Sequence, residues 1–252
     1  MKLVTFNIRC DYGQDGPNSF CFRKPLILEK IKAENPDIIC FQEVLPHVAV
    51  WLKDNLSDYC VIGCGRDEKL GNEQTSIVYK KSIYNLLEME VFWLSETPKV
   101  PGSRYKNQSD CPRICTMALF QNVKTNEVFR IYNTHLDHIG SEARRLGLSQ
   151  ILNRMEREET FIPAPAILTG DFNALPDSAE MELLKDYPRL FDLTAGIQGT
   201  FHDFGRRKEP EKIDYIIAQE QITCLNTEVW NDFKDGVYLS DHYPVSAKIR
   251  IK

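Results

Sequence analysis

The stretch Ala164–Asn173, APAILTGDFN, is a short apolar run that ends on a carboxylate, Asp171, and an amide, Asn173. It reads as a buried strand with chemistry at its exit. Before it, Ser141 to about Glu158 carries Leu148, Ile151, Leu152 and Met155 on one helical face, with Ser141 as candidate N-cap. Earlier still, residues 127–136, EVFRIYNTHL, read as a strand containing His135. The order is strand, helix, strand, and His135 and Asp171 lie 36 residues apart. The first half repeats it. KLVTFNIR (2–9) holds Asn7, RKPLILEKIKAENP (23–36) is helical and stopped by Pro36, and PDIICFQE (36–43) ends in Glu43, again 36 residues from Asn7. Two matched units predict two sheets related by a pseudo-twofold, packed face to face with helices outside. The polar residues ending their strands then meet on one rim.

The rest of the chain fits around these units. HVAVWLKDNL (47–56) has Val48, Trp51, Leu52 and Leu56 at helical spacing. TSIVYKK (75–81), YNLLEMEVFWLS (84–95), RICTMALFQNV (113–123), KIDYIIAQ (212–219) and VSAKIRI (245–251) read as strands, with a turn at Lys124-Thr125-Asn126. Asp177 with Glu180 forms a capping-box pattern for a short helix, SAEMELLKD (178–186). Residues 95–112, SETPKVPGSRYKNQSDCP, form a long polar loop with three prolines, of a length more often functional than idle. Trp93 reads as core, and His47 and His202 receive no role. No low-complexity linker divides the chain, so residues 1–252 are read as one domain.

Composition narrows the function. Apolar residues make up 42% and charged residues 27%, ordinary for a globular protein. The formal charge is −5 and the pI about 5.6, which argues against an extended basic groove for long nucleic acid. MKLVTFNIRC lacks the h-region of a signal peptide, and no run approaches the ~18–20 apolar residues of a membrane span. The expectation is a cytoplasmic protein without membrane attachment, monomeric and without an obligate protein partner. The 8 cysteines are then expected as thiols. Cys60/Cys64 and Cys111/Cys115 have C-x3-C spacing but lack the partners of a zinc module.

The residues ending the apolar strands are Asn7, Glu43, His135, Asp171 with Asn173, Asp214, and Asp241 with His242. Singly, each has a structural explanation: an Asx-turn at Asp171, a residue leading into the helix after Pro46 at Glu43, a Lys212 partner for Asp214. Together they suit phosphoryl-ester hydrolysis. A carboxylate cluster without converging cysteines favours a hard cation, Mg²⁺ or Mn²⁺. Such an ion neutralises phosphate, a further Asp activates water, and His and Asn donate to the non-bridging oxygens.

VTFNIR, FQE, NTHLDH, GDFNALPDS, KIDYII and SDHYPV occur in the order found in the endonuclease/exonuclease/phosphatase (DNase-I-like) superfamily, and the chain resembles it from Thr5 to Val245. FWLSETP with THLDH resembles a group of small bacterial members near the deadenylase-like branch. The resemblance implies an α/β fold, a four-layer αββα sandwich of two packed mixed β-sheets with helices outside. It implies Glu43 as main metal ligand, with Asn7 beside it and Asp241 at the metal edge. Asp171 would activate the attacking water and Asn173 steady it. His242, held by Asp214, would contact the scissile phosphate, and His135 would face it near the leaving group, oriented by Glu73. Arg113, Arg9, Arg144 or Arg145 would reach phosphate, and Asp137 and His138 would read substrate unless Asp137 caps the following loop.

The expected activity is Mg²⁺- or Mn²⁺-dependent hydrolysis of a phosphodiester or phosphomonoester, on a soluble nucleotide, short RNA or small phosphate ester. A DNA endonuclease or exonuclease is the alternative, disfavoured by the acidic charge. An inactive binding protein on the same fold would lack metal or water-activating residues. A zinc or thiol protein would use the C-x3-C pairs.

Overall fold

The structure is a computed structural model describing residues 1–252. Strand β1 (Lys2–Asn7) leads into helix α1 (Phe20–Glu34), which returns to β2 (Ile38–Gln42), parallel to β1. Helix α2 (Pro46–Asn55) follows, then β3 (Tyr59–Ile62) and β4 (Ile77–Lys80). The second half opens with β5 (Tyr84–Trp93) and β6 (Ile114–Asn122). β7 (Val128–His135), α3 (Ser141–Glu159) and β8 (Ala166–Asp171) then form the second parallel unit. After α4 (Ala179–Glu182) come β9 (Leu190–Asp192), β10 (Asp214–Gln219), β11 (Ile222–Val229), the hairpin β12 (Phe233–Lys234) and β13 (Val237–Tyr238), and β14 (Val245–Ile251).

The strands form two six-stranded sheets, ordered β11-β14-β1-β2-β4-β3 and β5-β6-β7-β8-β10-β9, the C-terminal strands β11 and β14 returning to complete the first. In both, the parallel pair occupies the third and fourth places and every other pairing is antiparallel. The matched units read from the sequence are therefore the centres of two equivalent sheets, and the four-layer sandwich is the fold observed.

The layers follow the two-residue period of a strand. Val4, Phe6, Ile39 and Phe41 pack outward under α1 and α2 with Ile27, Ile31, Val48 and Leu52. Leu3, Ile38 and Cys40 point the other way and meet Ile131, Ile167, Ile216 and Ala218 of the second sheet. Leu168, Tyr132 and Ile217 face α3 through Leu148, Ile151, Leu152 and Met155. Continuing the inward phase by one or two residues reaches Asn7, Gln42, Asn133, His135, Asp171 and Asp214, so the space between the sheets turns polar at one rim. Gln42 Nε2 donates to Asn133 Oδ1 (2.7 Å) and to Thr5 Oγ1 (3.1 Å), and Asn133 Nδ2 donates to the carbonyls of Phe41 and Ser76. These bonds join the sheets beneath that rim.

Several local expectations are corrected. α1 begins at Phe20 and accommodates Pro25. It ends at Asn35, whose left-handed φ of 47° serves as the C-cap before Pro36. Ser141 is the first helical residue of α3 and not its cap; Gly140 holds that position. The free N–H groups of Ile139 and Gly140 instead donate to the Asp137 carboxylate (3.1 and 2.7 Å). The Asp177–Glu180 capping box does not form: Ser178 stands at the N-cap without a side-chain bond, and Glu180 receives Arg144. Strands β3, β9 and β11 and the β12–β13 hairpin were not anticipated. No helix is long and apolar enough to cross a membrane, and all eight cysteines are free.

Candidate active site

The rim carries a cavity of about 410 Å³ bordered by Arg9, Glu43, Arg66, Glu73, Arg113, His135, His138, Asp171, Asn173, Asp241 and His242, with Cys10, Cys111, Phe201, Asp203 and Ile213. Strand register sets its floor. His135 of β7 and Asp214 of β10 both pair with Asp171 of β8, so the three side chains form a row across one sheet. Gly170 makes this row possible: a β-carbon there would sit 2.1 Å from the Thr134 carbonyl oxygen.

From the other sheet, Glu43 leaves β2 with a left-handed φ of 62°, an unfavourable state for a non-glycine residue. That turn brings Glu43 Oε2 to the Cys10 N–H (2.8 Å) and Oε1 to Asn7 Nδ2 (2.9 Å). Asn7 Nδ2 also donates to Asp171 Oδ2 (2.9 Å), while Asn7 Oδ1 accepts from the Arg9 N–H. The Asn7 amide thus bridges carboxylates of the two sheets and turns its NH₂ toward them; its oxygen is engaged by the backbone. The left-handed Asn173 donates its N–H to Asp171 Oδ1 (2.9 Å).

His242 Nδ1 lies 2.8 Å from Asp214 Oδ2, and its Nε2 lies 3.7 Å from Asp171 Oδ2. Burial opposes its charge, but Asp214, Asp171 and Asp241 raise its pKa to about 10, so it is an imidazolium. His135 is the opposite. Burial, with Arg113 and Arg66 nearby, holds its pKa well below the usual value, and its Nε2 sits 3.0 Å from Asn173 Nδ2, which donates to it. Burial and the Asp214 charge push the Asp171 pKa up. Burial also works against the Glu43 charge, yet the His135 ring, the Cys10 N–H, the Asn7 amide and Arg9 hold its pKa below the carboxylate range. Because His135 stays neutral, the two hydrogen bonds and Arg9 carry that preference.

The last segment of the site is braced from behind. Ser240 Oγ lies 2.7 Å from Asn7 O and 3.0 Å from Asp241 Oδ1, and Arg9 Nη1 lies 3.4 Å from Asp241 Oδ2. Arg23, fully buried, donates to the carbonyls of Ile8, Arg9, Asn18 and Leu239. The His202 ring stacks on Tyr243 (3.9 Å between ring centres) and the His202 backbone N–H donates to Asp241 O.

The cavity gathers Glu43, Glu73, Asp171, Asp203 and Asp241, with Asp214 on His242, against the cations Arg9, Arg66, Arg113 and His242. Glu43, His135 and Asp171 offer ligand atoms within 4.8 Å of one another. An oxygen-rich donor set with surplus negative charge fits a hard divalent cation.

Some expected residues lie elsewhere or act differently. Arg144 is spent on Glu180 (2.6 Å) and Asp137 O, tying α3 to α4 away from the cavity, and Arg145 is exposed outside it. Asp137 is buried and accepts from Ser109, Ile139 and Gly140, so its carboxylate organises the loop and does not read substrate. Glu73 borders the cavity but bonds Arg66 (2.8 Å) and Tyr12 (3.3 Å), and no hydrogen bond joins it to His135. Trp93 is core, its Nε1 donating to Arg66 O. His47 pairs with Asp11 near the surface. Of the 95–112 loop, Cys111 reaches the cavity. Arg66, Phe201 and Asp203 were missed, as they lie in segments without apolar periodicity or motif, and Cys10, one residue beyond VTFNIR, was missed as well.

This arrangement is a phosphoesterase-type rim on a four-layer sandwich. The chain belongs to the endonuclease/exonuclease/phosphatase family, whose model matches residues 4–242. It is similar to an endonuclease/exonuclease/phosphatase from Bacteroides vulgatus, with 35% identity, TM-score 0.92, and coverage of 100% of this chain and 98% of that one. A mannosyl-6-phosphatase from Bacteroides thetaiotaomicron is 28% identical with a TM-score of 0.91, covering all of both chains. An uncharacterised protein of Acanthamoeba polyphaga mimivirus is 27% identical over 245 residues, 88% of this chain and 89% of its own. Members of this family are typically hydrolases of phosphate esters.

Proposed function

We propose that the protein is a Mg²⁺- or Mn²⁺-dependent phosphoesterase acting on a small soluble phosphate ester by in-line attack of water. The carrying observation is the convergence of Glu43, Asp171 and His242 on one cavity, Glu43 and Asp171 linked through Asn7 and His242 held by Asp214. Glu43 and Asp241 would hold the cation, which supplies Lewis-acid neutralisation of the phosphate. Asn7 would orient the carboxylates rather than ligate.

Asp171, with its pKa raised, is suited to accept the proton of the attacking water, which Asn173 helps to position. As the water oxygen bonds phosphorus, the ester P–O bond breaks and the departing oxygen leaves with a proton from solvent. His242, kept protonated by Asp214, donates from Nε2 to a non-bridging oxygen as charge shifts there. His135 serves as a neutral wall of the phosphate site. Arg9 and His138 border the entrance.

A cavity of about 410 Å³ suits a phosphorylated sugar or a nucleotide. The likeness to a mannosyl-6-phosphatase over the full chain supports the same class. The test is phosphate release from sugar phosphates, nucleotides, short RNA and p-nitrophenyl phosphate with Mg²⁺, Mn²⁺ or excess EDTA. Activity is expected with either ion and absent in EDTA; undiminished activity in EDTA rejects the proposal.

A further inference from the structure

Two arginines border a recess of the cavity that His242 does not line and are poorly supplied with partners. Arg113 enters from the start of β6 and Arg66 from the segment after β3; both border the cavity, and they are only 4% and 7% exposed. Arg66 has Glu73 at 2.8 Å, but its Nε donates to nothing. Arg113 Nη2 donates to His138 Nδ1 (2.8 Å), while its Nε and Nη1 have no acceptor. Its nearest carboxylate, Asp137, is 3.6 Å away and already accepts from Ser109, Ile139 and Gly140. Unsatisfied donors on a buried cation are costly, and two like charges together add repulsion. The pocket they share also touches Glu43 and His135, so they adjoin the place assigned to phosphate.

We infer that Arg66 and Arg113 form a clamp for the terminal oxygens of a phosphate dianion, making the enzyme a phosphomonoesterase. This inference rests on the phosphoesterase reading above. A monoester phosphate has three non-bridging oxygens and carries up to two charges; a diester has two and carries one. His242 with Asn173 serves one side of the group, and the free N–H groups of the arginine pair match the additional oxygen on the other. A diester would place its second ester substituent against this buried wall, leaving the guanidinium donors unmet. Guanidinium is suited to the task because its fork matches phosphate oxygens.

The experiment compares p-nitrophenyl phosphate with bis-p-nitrophenyl phosphate on the full chain in saturating Mg²⁺, for wild type, Arg113→Gln and Arg66→Lys. Wild type is expected to favour the monoester by about a hundredfold or more in kcat/KM. Arg113→Gln should lower monoester kcat/KM by at least about thirtyfold more than diester kcat/KM, and weaken competitive inhibition by inorganic phosphate. Arg66→Lys, which keeps the charge, should do the same to a smaller degree. Wild type that cleaves the diester as well as the monoester overturns the clamp while leaving the phosphoesterase standing. Equal losses on both substrates in folded variants also overturn it. Should either variant fail to fold, the wild-type ratio decides. Cleavage of neither substrate, nor of any other phosphate ester, rejects the parent reading instead.

Discussion

Two histidines in one cavity hold opposite charge states. His242 faces Asp214, Asp171 and Asp241 and keeps its proton, whereas His135 faces Arg113 and Arg66 and gives it up. The sequence marks both as strand-end imidazoles, but their charges depend on neighbours from remote segments. Asp171→Asn keeps the hydrogen-bonding shape while removing the group suited to take a proton. It should lower kcat by about 10²–10⁴-fold with an unchanged circular dichroism spectrum; a loss under tenfold removes Asp171 as the base. Asp214→Asn should strip the nearest carboxylate from His242 and lower kcat by about 10²-fold or more. NMR titration of the His242 ring gives the independent readout, and a ring pKa that stays near that of wild type contradicts the assignment. Glu43, Asp171 and Asp241 were legible because each ends or precedes a buried strand with a recognisable motif. Arg66 was not: it lies in CGRDEKLGNEQ, where neither a 2-residue nor a 3.6-residue period marks which way a side chain points.

At the scale of elements, what was legible is what is buried on both faces. β1, β2, β7, β8 and β10 are fully or almost fully buried and stand out as apolar runs. β3 is four residues half-exposed along their length, β9 is only three residues, and β11 is largely exposed; all three are edge strands, too short or too mixed to stand out. Arg144 shares the helical face of Leu148 and Ile151, but in the first turn of α3 that face meets α4, where Glu180 takes its guanidinium. The junction of β7 with α3 depends on one carboxylate, since Asp137 takes the N–H groups of Ser109, Ile139 and Gly140. Asp137→Ala leaves these donors without an acceptor and should destabilise the fold by about 2–4 kcal/mol in urea unfolding. A change below about 0.5 kcal/mol would show that water replaces the carboxylate. Gly170→Ala attacks the β7–β8 pairing itself. Its added carbon would overlap the Thr134 carbonyl at a φ of 151°, so loss of soluble folded protein is the expected result, and a wild-type melting temperature would contradict the register.

For the whole molecule, the active rim is also the seam between two sheets. Asn7 and Glu43 belong to the first sheet, Asp171 and Asp214 to the second, and Gln42 and Asn133 join them underneath. Each sheet has the same arrangement around a central parallel pair, yet neither contains a complete site, so assembling the sandwich and assembling the chemistry are one event. The carboxylates drawn together there, Glu43, Glu73, Asp171, Asp203, Asp214 and Asp241, outnumber the cations Arg9, Arg66, Arg113 and His242. A divalent cation that binds the native cluster and not the unfolded chain must therefore stabilise the fold. At about a hundredfold its dissociation constant the linkage is about 2.7 kcal/mol, which for a chain of this size raises the melting temperature by about 5–10 °C. Glu43→Gln removes one principal ligand and part of the repulsion together. Because the fold favours the Glu43 charge through the Cys10 N–H, the Asn7 amide and Arg9, the substitution should lower the melting temperature without metal, and it should largely abolish the increment caused by Mg²⁺ or Mn²⁺. Thermal melts of wild type and variant, with and without each ion, separate the two effects. An undiminished Mg²⁺ increment in Glu43→Gln would place the cation elsewhere on the rim, and no increment in wild type at any Mg²⁺ or Mn²⁺ concentration would mean that the cluster binds neither ion.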